Sequence, residues 1–93
     1  MDVDRAEEIG VAGLIFLAAD MQRLGRFLAL TGLGPTELKA EARTPRMLAA
    51  VLDHLLHDES LLLVFAADNQ LAPEDIAPAQ RLLSLQAGEK PDL

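Results

Sequence analysis

The chain has 93 residues, 51% apolar and 25% charged, a one-domain length with enough hydrophobic material to close a core. Its 8 Lys and Arg against 15 Asp and Glu leave a net charge of −7, which disfavours a general phosphate-binding surface. It has no Cys, hence no disulfide frame, thiolate nucleophile or Cys-based zinc site, and Phe is its only aromatic residue.

Ala and Leu dominate while β-branched and aromatic residues are few, so the Pro and Gly punctuation divides the chain into helices rather than strands. The first helix is expected to start within Asp4 to Glu8, whose acidic side chains suit the positive end of the helix dipole, and to run to Ala19. It contains the longest uncharged run, Ile9 to Ala19, about half of the ~20 apolar residues a membrane span requires, which makes it a core helix. Asp20 reads as an N-cap followed by Leu24, Phe27, Leu28 and Leu30 at helical spacing, with Gly32 as the stop. Gly34-Pro35-Thr36-Glu37 starts a short helix to about Ala42, and Thr44-Pro45 repeats that logic as cap and first residue. The helix so opened carries Leu48, Val51, Leu52 and Leu55, an i, i+3, i+4, i+7 stripe that faces a core. Asp58 caps the next, Glu59 to about Asn69. The last is expected from Ala72-Pro73-Glu74-Asp75 to Gly88, with Pro78 able to shift its start or kink it, and a polar tail follows over 88–93.

Offset by 38 residues, the chain matches itself. Nine identities fall in the 34 pairs from Ile9 to Ala42, among them the caps Asp20 and Asp58, the aromatics Phe27 and Phe65, and the turns Leu33-Gly34-Pro35 and Leu71-Ala72-Pro73. Fixed-period self-similarity marks repeated supersecondary units. The expected architecture is therefore all-α: a compact bundle of about six short helices in one domain, built from two related three-helix units, about 6–43 and 44–87. A unit of this size is too small to be stable alone.

Where the two units differ in polarity, the difference indicates which surface each one turns to something else. Ile15 and Phe16 stand where the second unit has Asp53 and His54, whereas Leu61, Leu63 and Val64 stand where the first has Arg23, Gly25 and Arg26. Each unit thus has one helix that is apolar all round, which calls for burial on more than one face. The surplus apolar residues, Ile15, Phe16, Leu61, Leu63 and Val64, either meet inside the chain as the seam between units or form a surface for a homodimer or a protein partner. The first reading is favoured, because a small domain needs every buried side chain.

Asp53, His54, His57, Asp58 and Glu59 form the one cluster of ligand-type side chains. His54, His57 and Asp58 could converge on a metal from one helix end, but Asp58 already serves as a cap and no HExxH pattern occurs, so a solvated polar end is the expected state and no metal or cofactor is assigned. Thr31, Thr36, Thr44, Ser60 and Ser84 lack a base and orienting group of the kind a nucleophile needs, and Gly32-Leu33-Gly34-Pro35 lacks the Lys of a phosphate loop; no enzyme is expected. Glu37 to Leu56 could form a helix-turn-helix with Arg43 and Arg46 at the head of the second helix, yet that helix then offers Asp53 to a nucleic acid. The amino terminus is acidic where a signal peptide would be basic, so a cytoplasmic location is expected.

Phe16-Leu17-Ala18-Ala19-Asp20, Leu24-Gly25-Arg26-Phe27-Leu28-Ala29-Leu30-Thr31-Gly32-Leu33-Gly34-Pro35 and Val51-Leu52-Asp53-His54-Leu55-Leu56-His57-Asp58-Glu59-Ser60-Leu61-Leu62 resemble the signatures of a family of short helical bacterial proteins, mainly alphaproteobacterial, catalogued as a domain of unknown function. The resemblance covers about residues 6 to 85. It implies a bacterial cytoplasmic protein and supplies no activity, ligand or catalytic residue. Met21 stands where the family often has Pro. The expected role is a small non-enzymatic interaction or regulatory module, with a nucleic-acid-associated regulator and a His-based metal protein as the alternatives.

Overall fold

Each helix begins where a side chain can satisfy its free amides. In the computed structural model, which describes residues 1–88, α1 spans Val3–Ala18 and Asp2 accepts from the Arg5 amide at 2.8 Å. This cap starts the helix earlier than the expected Asp4 to Glu8. α2 is Met21–Thr31, with Asp20 accepting from the amides of Gln22 at 2.9 Å and Arg23 at 3.2 Å, and it ends on Gly32 at φ 75°, a left-handed turn that glycine adopts without strain. α3, Pro35–Glu41, starts with the Glu37 carboxylate accepting from the Gly34 amide at 3.3 Å. α4, Pro45–Leu56, is capped by Thr44, whose hydroxyl oxygen accepts from Met47 at 3.2 Å, and α5, Glu59–Asp68, by Asp58, which accepts from Leu61 at 3.1 Å.

The last helix departs from expectation. Pro73–Asp75 forms a 3₁₀ turn and α6 begins at Ile76, running to Gln86. Pro78 has no amide hydrogen to donate to Glu74, so an α-helix that began before Glu74 would leave a carbonyl unpaired; starting at Ile76 puts the proline in the first turn, where no donor is required. The polar tail expected beyond Gly88 lies outside the described residues.

The described residues form six α-helices and no strand. α6 packs on both α4 and α1, which also pack on each other, while α2 lies on α1 and α5 on α4. The expected α4 stripe, Leu48, Val51, Leu52 and Leu55, is wholly buried, and Ile9, Leu17, Phe27, Phe65, Ile76 and Leu83 complete the centre. α1 and α4 approach closely because α1 presents two glycines: a Cβ on Gly10 would stand 2.9 Å from the Leu48 Cβ, and one on Gly13 would stand 3.1 Å from a Val51 methyl. Two aromatic contacts flank this crossing. The Phe16 ring lies 5.4 Å from that of Phe65, and the Phe27 ring meets His54 edge-on at 5.3 Å. α3 differs from every other α-helix in burying no residue.

Candidate functional site

The five residues of the expected apolar surface separate. Phe16 leaves it: the side chain is only 6% exposed, held between the Phe65 ring and the Arg23 guanidinium, which sits 4.1 Å above it. Its part of the surplus apolar face therefore meets α5 inside the chain. Ile15 is 63% exposed at the end of α1, in a hollow bordered by Val11, Asp4, Glu7, Glu8 and Arg43; no α5 residue lines that hollow. Leu61 packs partly against the core, whereas Leu63 and Val64 remain 48% and 43% exposed.

α5 is the helix whose sequence and environment disagree most. From Ser60 to Ala67 it carries no charge, yet only Phe65 and Ala66 are buried. Leu61 and Leu62 are half-buried against the core, while Leu63, Val64 and Ala67 are open, so that side lacks the cover such a helix requires.

The histidine end of α4 is built differently. His57 donates from Nδ1 to the Asp53 carbonyl at 2.7 Å, with the Asp53 carboxylate 3.7 Å from the same nitrogen. Asp58 is engaged with the Leu61 amide. His54 rests against Phe27, and its Nε2 is shut off from solvent without a hydrogen-bond partner. Burial lowers the His54 pKa below its ordinary 6.5, the nearby Arg26 lowers it further, Asp58 and Asp53 oppose, and His57 adds a smaller lowering. The ring packs on Phe27, in surroundings that disfavour its protonated form. Among the described residues no group of three or more His, Asp or Glu side chains is placed to hold a metal ion.

Three hollows join along the open side of α4. One of about 360 Å³ lies between α3 and the start of α4, with Leu33, Glu37 and Glu41 facing Arg46 and Met47. It shares Thr31 and Ala50 with a second, of about 300 Å³, which shares Leu30, His54 and His57 with a third, of about 320 Å³, at the start of α5. Sequence reasoning missed this furrow, because its walls come from α2, α3 and α4 and no single periodicity marks it. Both arginines of the helix-turn-helix reading face acidic neighbours: Arg43 borders the hollow of Asp4, Glu7 and Glu8, and Arg46 that of Glu37 and Glu41. No helix among the described residues is long and apolar enough to cross a membrane.

These features define a small all-helical protein with an uncovered apolar helix and a polar furrow. Residues 3–86 match the family described as protein of unknown function (DUF3572), and the chain belongs to that family. No curated protein and no solved structure matches it.

Proposed function

We propose that this protein is a non-enzymatic interaction module whose open α5 face pairs with a second copy of the chain. The observation that carries the reading is the exposure of Leu63 and Val64 on a helix that is apolar all round. The choice of a second copy rests on charge. In a chain of net charge −7, Ser60 to Ala67 is an uncharged strip on which two copies meet without opposing carboxylates. A ten-residue helix is about 15 Å long. One face of a helix of that length and about 10 Å across offers far less than the roughly 800 Å² per partner of a standard interface, so the association is weak and concentration-dependent.

The same reading takes the fold as an internal duplication, and five correspondences at the 38-residue offset support it. Asp20 and Asp58 cap equivalent helices. Thr31 and Asn69 each donate a side-chain hydrogen bond to the carbonyl of the equivalent Phe, Phe27 at 2.7 Å and Phe65 at 3.1 Å. Gly32 and Gln70 both adopt positive φ, 75° and 55°. Phe16 corresponds to His54 and Phe27 to Phe65, so the two aromatic contacts are images of one another. Gly10 meets Leu48 and Gly13 meets Val51, each its own counterpart. Reciprocal contacts, with like positions meeting on a shared line, are the signature of a two-fold relation. The duplication explains why one unit's surplus apolar helix is buried by the other and the second unit's α5 is not.

Light scattering over a wide concentration range tests the pairing. Wild type is expected to rise from 10.0 kDa towards twice that mass, and the double variant Leu63→Asp, Val64→Asp to stay at the monomer mass with an unchanged melting temperature. A wild type that stays monomeric at every concentration, or a variant that pairs as well as wild type, overturns it.

A further inference from the structure

We infer that the furrow along α4 is a second docking site, and that its occupant is a basic amphipathic helix from another protein. It includes neither Leu63 nor Val64 and meets α5 only at Glu59 and Ser60, so it goes beyond the self-association proposed above, and the variants below test it separately.

The first observation is a slot filled on one half of the molecule and open on the other. α6 anchors itself through Ile76, Ala79 and Leu83, all fully buried. At the 38-residue offset these are Leu38, Glu41 and Pro45. The middle anchor has become a carboxylate, and the third has become the first residue of α4, so α3 stops after seven residues. Glu41 borders the first hollow, whereas its counterpart Ala79 is sealed in the core. One half of the fold therefore lacks the helical packing that closes the other.

The second observation is the shape and chemistry of the furrow. It follows α4 from Arg46 to His57, about 17 Å at 1.5 Å per residue, the length of a three-turn helix. Ala50, shared by two of the hollows, is a small floor residue over which an incoming backbone can pass closely, and Leu30, 67% exposed, with Met47 and Leu33 provides apolar wall. Glu37, Glu41, Asp53, Asp58 and Glu59 line it against Arg26 and Arg46, an acidic excess at neutral pH. An aliphatic stripe flanked by Lys or Arg complements both features, which is the helix-in-groove mode of recognition. A nucleic acid or an acidic helix would meet like charge.

The probe is a synthetic three-turn helix with Leu on one face and Lys on its flanks, fluorescently labelled, with a Glu-for-Lys version as its control. Anisotropy is read at 0.15 M salt on the intact protein. The Lys peptide is expected to bind wild type saturably and the Glu peptide not at all. Ala50→Arg, which fills the floor, and Glu41→Lys with Asp53→Lys, which reverses the rim, should each weaken binding at least tenfold. Asp4→Lys with Glu7→Lys, in the separate α1 hollow, should change it less than twofold. Circular dichroism confirms folding; if Ala50→Arg unfolds, the rim variant decides. Equal losses in the rim and α1 variants would mean diffuse electrostatic attraction and overturn the inference, as would no binding to wild type. It is also overturned if light scattering shows a wild-type dimer that Ala50→Arg dissociates, for the occupant would then be a second copy.

Discussion

His54 shows how much one polar atom changes a packing contact. At the 38-residue offset its ring takes the place of Phe16 and, like it, packs against a Phe, but it brings a ring nitrogen that finds no partner. Because burial lowers its folded pKa beneath the unfolded value of about 6.5, the unfolded chain takes up the proton first as pH falls. The contribution of His54 to stability is therefore complete above pH 6.5, declines as pH drops through the interval down to its lowered folded pKa, and falls no further below it. His54→Phe should abolish that decline and restore the symmetry of the two contacts. We expect the variant to be about 1 kcal/mol more stable at neutral pH, since it removes a buried unpaired polar atom, and its advantage in urea unfolding should widen between pH 7 and pH 5. An advantage that stays constant with pH would show that His54 does not titrate across folding.

At the scale of elements, much of the fold is legible in the sequence. The caps Asp20, Thr44 and Asp58, the stop at Gly32 and the α4 stripe are local signals, and the helices begin, end and face as those residues dictate. The later start of α6 depends on one missing hydrogen, and the choice between seam and surface at each apolar residue is tertiary. Phe16 lies off the stripe of Leu14 and Leu17, but α1 is surrounded by α2, α4 and α6, with Phe65 reaching it from α5, so a position on its back is still covered. Periodicity gives a helix's angles and is silent on how many neighbours it has. Ile15, Leu63 and Val64, singled out as apolar letters unmatched at the 38-residue offset, are exposed, while the furrow was not legible, since it arises where α3 fails to fill space. The α1–α4 crossing yields its own prediction. Gly10→Ala places a methyl group 2.9 Å from the Leu48 Cβ, too close to stand without a backbone shift. Overpacking of this kind costs about 1–3 kcal/mol. It exceeds the roughly 1 kcal/mol an alanine gains over glycine inside a helix, so the net effect in urea unfolding should be destabilising. Adding Leu48→Gly, which removes that Cβ, should make the double variant more stable than the sum of the two single effects; strict additivity would mean that the two residues do not meet.

Across the whole molecule, the two halves of the chain leave different surfaces uncovered. The first buries Phe16 against Phe65, leaves Ile15 exposed and places short α3 beside an open furrow. The second seals its own half with α6 and keeps α5 half uncovered. The chain thus carries one face that is apolar and uncharged and another that is grooved and acidic, the two surfaces on which the proposals above rest. The measurement that bears most directly on this account is a dilution series of methyl NMR spectra. If the α5 face pairs two chains, the methyl resonances of Leu61, Leu63 and Val64 should shift with concentration while those of Ile76 and Leu83, sealed in the core, and Ile15, in its separate hollow, stay fixed. Concentration-independent spectra, or shifts that avoid Leu63 and Val64, would contradict it.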